Sequence, residues 1–488
     1  MNLHVQRKDS IIYPDNKRVI ARFFFNGTAR AEKLISAIIA MPDSEVHSLV
    51  NQILREFSKR HRSITGIYKQ HFNKIKDIVT KVYGNNNNLS EGRKLLIGAY
   101  FTMEYALESA ALFNPSIIED PDQTGLQNGH VRVLLSLRAT GEGHISSIVF
   151  RRAIINQQND ILLFDPAGHV AEATIIKNHM YKKGSFSSKL EEMGIAEEFY
   201  KLVLEQLTDR FTYDQISDAV RNAKNANPLL LVEQQKAIDE ILWLADSYNE
   251  IIFSLDTDIT ERVIFPISKH EQKGIEDARF VKFTKENGSV IYYCTYTAYD
   301  GHTILPRLIE TEDFYKFKIF PLHGSYAIDK NLALFPRKVN GKFVMISRVN
   351  GFSNYIMFSE KINRWSEAEL LEEPSYPWEL VQIGNGGSPI ETPEGWLLIT
   401  HGVGPVRKYC LGACLLDLED PRKIIGRLKE PLLLPIEDER AGYVPNVVYT
   451  CGAYVHNEDL IIPYAMSDFA SSFATVNLRS LLDELKNG

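Results

Sequence analysis

The segment Gly274-Ile275-Glu276-Asp277-Ala278-Arg279 sets two acids and a base at the entrance of an apolar run, 280–283. A carboxyl group in that position can carry a proton to or from a reacting atom. Strand alternation sends neighbouring side chains to opposite faces, so Glu276 and Asp277 are expected to face different ways. An inverting hydrolase holds its acid and base about 6.5 to 9.5 Å apart with a water between them, and adjacent acids fit that pair poorly. The plainer alternative is an ion pair between one carboxylate and Arg279 or a nearby basic residue that only fixes the strand.

The cations change the balance. Lys330 and Arg348 bracket one strand, turn and strand in KNLALFPRKVNGKFVMISR, so a hairpin returns both to one end. Arg138 in SLRATGEGHISSI and His401 in LLITHGVGPVRKY hold comparable places, and Tyr409 adds a neutral donor. Singly, each reads as a surface lysine or a hydrogen-bonded core histidine. Together they predict a basic patch suited to phosphate, where arginine offers a fork of donors and lysine a point charge. The GNGG around Asn385 has no dinucleotide-fold strand and helix about it and reads as a turn.

A repeat must position these residues. An apolar strand, a Gly-marked turn, a second apolar strand and a polar tip return near Phe113, Gly274, Lys330, Ile383 and Tyr443. The last four starts lie roughly 50 to 60 residues apart, the spacing of a four-stranded sheet repeated radially. The expected fold is therefore mainly β, a five-bladed β-propeller whose strand openings converge on one axial pocket. Those openings carry Asn114, Asp277, Lys330, Asn385 and Asn446, with Arg138, Arg348, His401 and Asp468 one strand further on.

Helices are expected outside the ring. An N-terminal region, 1–112, holds extended pieces over 2–25, whose pairing with a distant blade would close its edges. Three helices follow: one bearing Val46, Leu49, Ile53 and Phe57, one from Ile64 to Val82 stopped by Gly84 and the Asn run 85–88, and one over about 90–112. The first blade is set at 113–186, with strand-like pieces at 161–164 and 173–176 finishing it. A helical insertion occupies 187–250, with helices at 195–207 and 233–248 broken at 225–228, and the remaining blades fill 251–488. The insertion's apolar stripe, Phe199, Leu202, Val203, Ile238, Leu242 and Leu244, is expected to pack with the N-terminal helices. There it would form a subunit contact of a homo-oligomer or one wall of the pocket.

A chain of 488 residues that is 44% hydrophobic can bury a large core. A formal charge of −7 gives no global reason to bind nucleic acid or an anionic membrane, so any anion site must be local. Without a long apolar segment the default expectation is a cytoplasmic protein. Cys294, Cys410, Cys414 and Cys451 lack CxxC spacing and read as small buried hydrophobes. No metal-ligand constellation appears, and no cofactor is expected.

With these motifs in view, the chain resembles glycoside hydrolase family 130, the β-mannoside phosphorylases and related β-mannosidases. The carrying pieces are GIEDARF, KNLALFPRKVNGKFVMISR, WLLITHGVG with YCLGACLLDLEDP, and GYVPNVVY with PYAMSDFASSFA. The N-terminal helices and the large insertion resemble a longer branch of that family. The resemblance implies a five-bladed propeller in which Asp277 protonates the glycosidic oxygen, through a sugar hydroxyl, while inorganic phosphate, a co-substrate, attacks the opposite face. It implies Lys330, Arg348 and His401 on phosphate, with Arg138 and Tyr409 near them. It also puts Asn114, Ser116, Glu276 and Asp468 on the sugar. The implied activity is reversible, inverting phosphorolysis of β-mannosides to α-mannose 1-phosphate. The alternatives are an inverting β-mannoside hydrolase with Asp468 as base, and a sugar-binding propeller without turnover.

Overall fold

The computed structural model of the chain describes residues 3–84, 89–176, 180–226, 232–268, 271–299 and 304–487. The loop expected at 85–88, residues 227–228 of the break expected at 225–228 and the side chain of Phe199 lie outside the described residues. The protein is mainly β. Among the described residues, five sheets of four or more strands, antiparallel except where Arg262–Ile264 pairs with Ala171–Glu172, follow one another along the chain. Their leading strands are Ala111–Glu119, Ile275–Thr284, Ala333–Leu334, Gln382–Asn385 and Val448–Tyr449. The first sheet continues through Val131–Thr140 and Ser146–Ile155, and the second through Val290–Tyr299, Ile304–Thr311 and Lys316–Pro321. Each sheet touches the next, and strands of the fifth pack on Ala111–Glu119 of the first. The apolar faces of these strands fuse into continuous cores, such as Leu397, Leu411, Ile462 and Val476 between the fourth and fifth sheets.

The fifth sheet is finished by the other end of the chain. Val5–Arg7 pairs antiparallel with Ala470–Asn477, Val5 opposite Val476. This removes one exposed edge. Val19–Phe23 pairs instead with Thr102–Ala106, a strand where the sequence pattern suggests helix. The helix starting at Glu91 ends at Tyr100, capped at its start by Ser90, whose side chain accepts from the Arg93 N–H. Past Phe101, Thr102 and Tyr105 favour extended backbone. The second expected helix is two, Ile64–Lys74 and Lys76–Tyr83, separated at Ile75 with φ −114° and ψ 11°.

The insertion differs from its expected form in three respects. Thr174–Ile176 joins the second sheet through Asn249–Ile252, whereas Ile161–Leu163 stays on the first. Four helices are present, Lys183–Glu192, Glu197–Leu204, Tyr213–Ala226 and Val232–Asp246. The third escapes a reading built on large apolar residues because its buried stripe includes Ala219 and Ala223 beside Ile216 and Val220. Finally, Val203, Leu204, Val220, Ile238, Ile241 and Leu244 share one core without any N-terminal helix, so the insertion covers most of its own stripe, although Leu202, expected in it, is 38% exposed. No helix among the described residues is long and apolar enough to cross a membrane.

Candidate active site

Where the openings of the five sheets converge, a cavity of about 300 Å³ is lined by Asn114, Arg138, Glu276, Asp277, Lys330, Arg348, His401, Tyr409 and Asp468. Nine of the ten side chains singled out from the sequence thus share one wall. The tenth, Ser116, is not in the lining: it is 1% exposed, and its Oγ accepts the Phe280 N–H at 3.2 Å. Asn385 and Asn446 are likewise outside the lining. A larger groove of about 540 Å³, between the third and fourth sheets, mixes Lys342 and Arg422 with Glu367, Glu369, Glu419 and Asp420. It has no set of cations converging on one acid.

The backbone that delivers the acids departs from regular strand. The pairing of Ile275–Thr284 with its neighbour slips between Glu276 and Arg279, and Asp277 sits at φ 54°. The first sheet repeats the device, slipping between Phe113 and Ser116 with Asn114 at φ 50°. Asn331 and Asn446 take φ 66° and 63° at the third and fifth openings. Asn and Asp are the side chains that tolerate this left-handed region best. The bulge cancels the alternation, so Glu276 and Asp277 both face the cavity, contrary to the expectation from regular strand geometry.

Asp277 is held from three sides. Asn114 Nδ2 donates to its Oδ1 at 2.7 Å, and the Tyr449 hydroxyl donates to Oδ2 at 3.4 Å. Arg279, beneath the floor, donates to the Asp277 carbonyl at 2.8 Å and to the Tyr449 oxygen at 2.7 Å. Arg279 therefore does not form the carboxylate pair of the plainer alternative, whose pairing with nearby basic residues is made by Glu276 instead. Burial opposes the charge on Asp277, but Arg279, Arg138, Lys330 and the Asn114 hydrogen bond outweigh it and hold the carboxyl below its ordinary range. Glu276 takes the ion pairs, bridging Arg138 Nη2 at 2.8 Å and Lys330 Nζ at 2.6 Å. It thereby joins cations from the first and third sheets.

The other carboxylate behaves oppositely. Burial, with the negative charges of Asp277 and Glu276, pushes Asp468 up to about 6 against the pull of Arg138 and Arg407. His401 sits opposite Gly384 in the fourth sheet. A Cβ at Gly384 would lie 2.4 Å from the imidazole Cε1, so only glycine lets the ring pack there. His401 Nδ1 is 3.0 Å from the Asn385 carbonyl oxygen. Burial, then Arg348 and Arg279, lower its pKa to about 3. Arg348 lies 3.5 Å from Asp329.

Sequence reading passed over Asp329, Asn331, Gln382, Arg407 and Tyr449 in this wall. Tyr449 closes the quoted NVVY and Asn331 follows Lys330, so both stood beside recognised residues. Arg407 lies on a hairpin tip, where it and Val406 have φ 55° and 60°. That shape matches the tip of the first sheet, where Gly143 and His144 have φ 67° and 59°.

A family model described as beta-1,4-mannooligosaccharide phosphorylase matches residues 228–487. A 1,2-beta-oligomannan phosphorylase of Thermoanaerobacter sp. (strain X514) is 35% identical over 221 residues, 44% of this chain and 72% of that protein. A beta-1,2-mannobiose phosphorylase of Listeria innocua serovar 6a is 28% identical over 234 residues, 46% of this chain and 63% of the relative, just under two thirds of its length. A solved complex of beta-1,2-mannobiose phosphorylase from Listeria innocua with beta-1,2-mannobiose is 21% identical, with a TM-score of 0.46, over 78% of this chain and 93% of that one.

Proposed function

Because this chain belongs to glycoside hydrolase family 130, whose matching model is described as beta-1,4-mannooligosaccharide phosphorylase, we propose that it is an inverting β-mannoside phosphorylase using inorganic phosphate. One observation carries the reading: Arg138, Lys330, Arg348 and His401 converge in one cavity with Asp277, an acid that makes no ion pair of its own among the described residues. The five sheets are read as blades of a five-bladed β-propeller with this cavity on its axis. Their succession, and the return of the fifth onto the first, support that architecture.

With its pKa held below the ordinary carboxylate range, Asp277 is ionised at neutral pH before phosphate enters. An entering phosphate offsets the field of Arg138, Lys330 and Arg348 and so raises the acid towards its protonated form. A phosphate oxygen then attacks the anomeric carbon from the face opposite the leaving group. The C1–O bond to that group breaks, and the Asp277 proton passes to its oxygen, through a sugar hydroxyl. Inversion turns a β-mannoside into α-mannose 1-phosphate and leaves Asp277 as carboxylate. Phosphate needs orientation and charge compensation rather than a general base, which this wall supplies. No cofactor enters the scheme, and Asn114, Glu276 and Asp468 are assigned to the sugar.

The test is incubation with β-1,2- and β-1,4-linked mannooligosaccharides, with and without phosphate. Mannose 1-phosphate formed only with phosphate is the expected result. Free mannose at equal rates in both would favour hydrolysis. One observation supports that second reading: a pKa of about 6 suits Asp468 to act as a base on water near neutral pH.

A further inference from the structure

The proton on His401 is fixed by its partner. Asn385 offers a carbonyl oxygen, which only accepts, so the Nδ1 that lies 3.0 Å from it carries the hydrogen. A second proton, on Nε2, would make an imidazolium in an unfavourable place. The side chain is 1% exposed, and the rings of Tyr449 and Tyr409 lie 4.8 and 6.1 Å from it. Its nearest charges include the cations Arg348 and Arg279, with Asp277 a weaker opposing influence. Nε2 thus presents a lone pair. It has no hydrogen-bond partner among the described residues, and His401 lines the cavity.

On the reading of the site as a phosphate cradle, we infer that His401 is a specificity-determining residue whose Nε2 accepts the P–OH of hydrogenphosphate. The wall otherwise offers phosphate the donors of Arg138, Lys330 and Arg348. Hydrogenphosphate has the complementary pattern, one O–H donor among acceptor oxygens. Sulfate has the same shape but is fully ionised near neutral pH, so each of its oxygens would set a lone pair against that of Nε2. Charge alone does not separate the two, since hydrogenphosphate and sulfate are both dianions and differ in the one O–H. Turning the phosphate O–H towards His401 also leaves ionised oxygens towards the cations and the anomeric carbon, where the attacking atom needs its charge. No proton moves in this step.

Titration calorimetry of the whole protein with phosphate, arsenate and sulfate near neutral pH tests the inference, in wild type and in His401→Gln. Arsenate should follow phosphate, and sulfate should bind about tenfold or more weakly, the effect of opposing two acceptors in a buried site. The glutamine amide can turn its donors inward, so in His401→Gln the two anions should come within about threefold of each other. Equal or tighter sulfate binding in wild type overturns the inference. So does a gap that persists in His401→Gln, which would give the proton-reading role to Glu276, Asp277, Asp329 or Asp468. Should the variant fail to fold, ¹⁵N spectra of wild-type His401 with phosphate bound decide the matter: a neutral Nδ1–H ring supports the inference and an imidazolium overturns it. Failure of phosphate itself to bind would remove the phosphorylase reading too, whereas phosphorolysis without anion discrimination removes only this one.

Discussion

Two buried groups of carboxylates and arginines, one in the cavity and one at the joint between the third and fourth sheets, are built to opposite ends. At the joint, Arg427 pairs with both Glu372, whose Oε1 is 2.6 Å from its Nε and whose Oε2 accepts from Asn354, and Glu379, which also accepts from the Ser375 and Tyr376 N–H groups. Both acids are nearly inaccessible, at 4% and 0% exposure, and neither lines the cavity where the sheets converge. Burial, with repulsion from Glu379, pushes the Glu372 pKa up. In the cavity, Arg138, Lys330, Arg348 and Arg407 line the wall with Arg279 behind, against Glu276, Asp277, Asp329 and Asp468. An anionic surplus sealed from water serves only packing. Four cations that face an opening beside four acids, with Arg279 adding a fifth positive charge behind, are available to a ligand, and this separates a structural cluster from a functional one where burial alone does not.

Substitutions can break that distinction, beginning with the strongest. Asp277→Asn keeps the acceptor that Asn114 reaches but removes the proton, so turnover should fall by about 10² to 10⁴ with little change in melting temperature. Single-turnover assays beside thermal melts would show it. Unchanged turnover would strip Asp277 of its role. Arg427→Ala should do the reverse. Two carboxylates left without their cation should cost about 3 to 5 kcal/mol of stability in denaturant titrations, while the rate per folded molecule stays near that of wild type.

Asp468 sharpens the comparison through pH. Its folded pKa, about 6, lies above the ordinary value of 3.8, so the folded state prefers it protonated. Its favourable contribution is present below the ordinary value and is lost as pH rises through about 6. The melting temperature of Asp468→Asn relative to wild type should therefore climb between about pH 4 and 6 and then level off. A difference that does not vary with pH would contradict the burial argument. The smallest effect belongs to Ser116→Ala, which deprives the Phe280 N–H of its acceptor. A stability loss of about 1 kcal/mol is expected, with an unaltered KM for mannoside. A raised KM would return Ser116 to the sugar.

Much of this wall was legible in the chain because the repeat carries its own register. Arg348 and His401 stand at matching points of successive copies and Lys330 at the opening of the first of them, and the structure brings all three into one cavity. What escaped depends on geometry that residue types leave open. A period-two strand cannot foretell that Glu276 and Asp277 turn the same way, since the bulge at Asp277 arises from pairing with a strand read only in three dimensions. Tyr449 reaches Asp277 from the fifth sheet, 172 residues away. Thr174–Ile176 is too short for its sequence to choose between two sheets. The helix Glu91–Tyr100 stops early because Thr102–Ala106 finds a partner in Val19–Phe23, a tertiary contact that overrides local preference.

The pairing of Val5–Arg7 with Ala470–Asn477 has a consequence for how the molecule is made. During synthesis the first strand emerges early and must wait, unpaired, until residues beyond 470 leave the ribosome. A contact of such sequence separation carries a large closure entropy and forms slowly. The earlier sheets can assemble as they appear, but the fifth stays open at one edge until the end, exposed to wrong partners in the meantime. Arg7, whose Nε lies 2.8 Å from Glu439 Oε1, then acts as the clasp. Refolding from denaturant should accordingly show a slow final phase, and a chain lacking residues 1–8 should aggregate during that phase more readily than it loses the native sheets already formed.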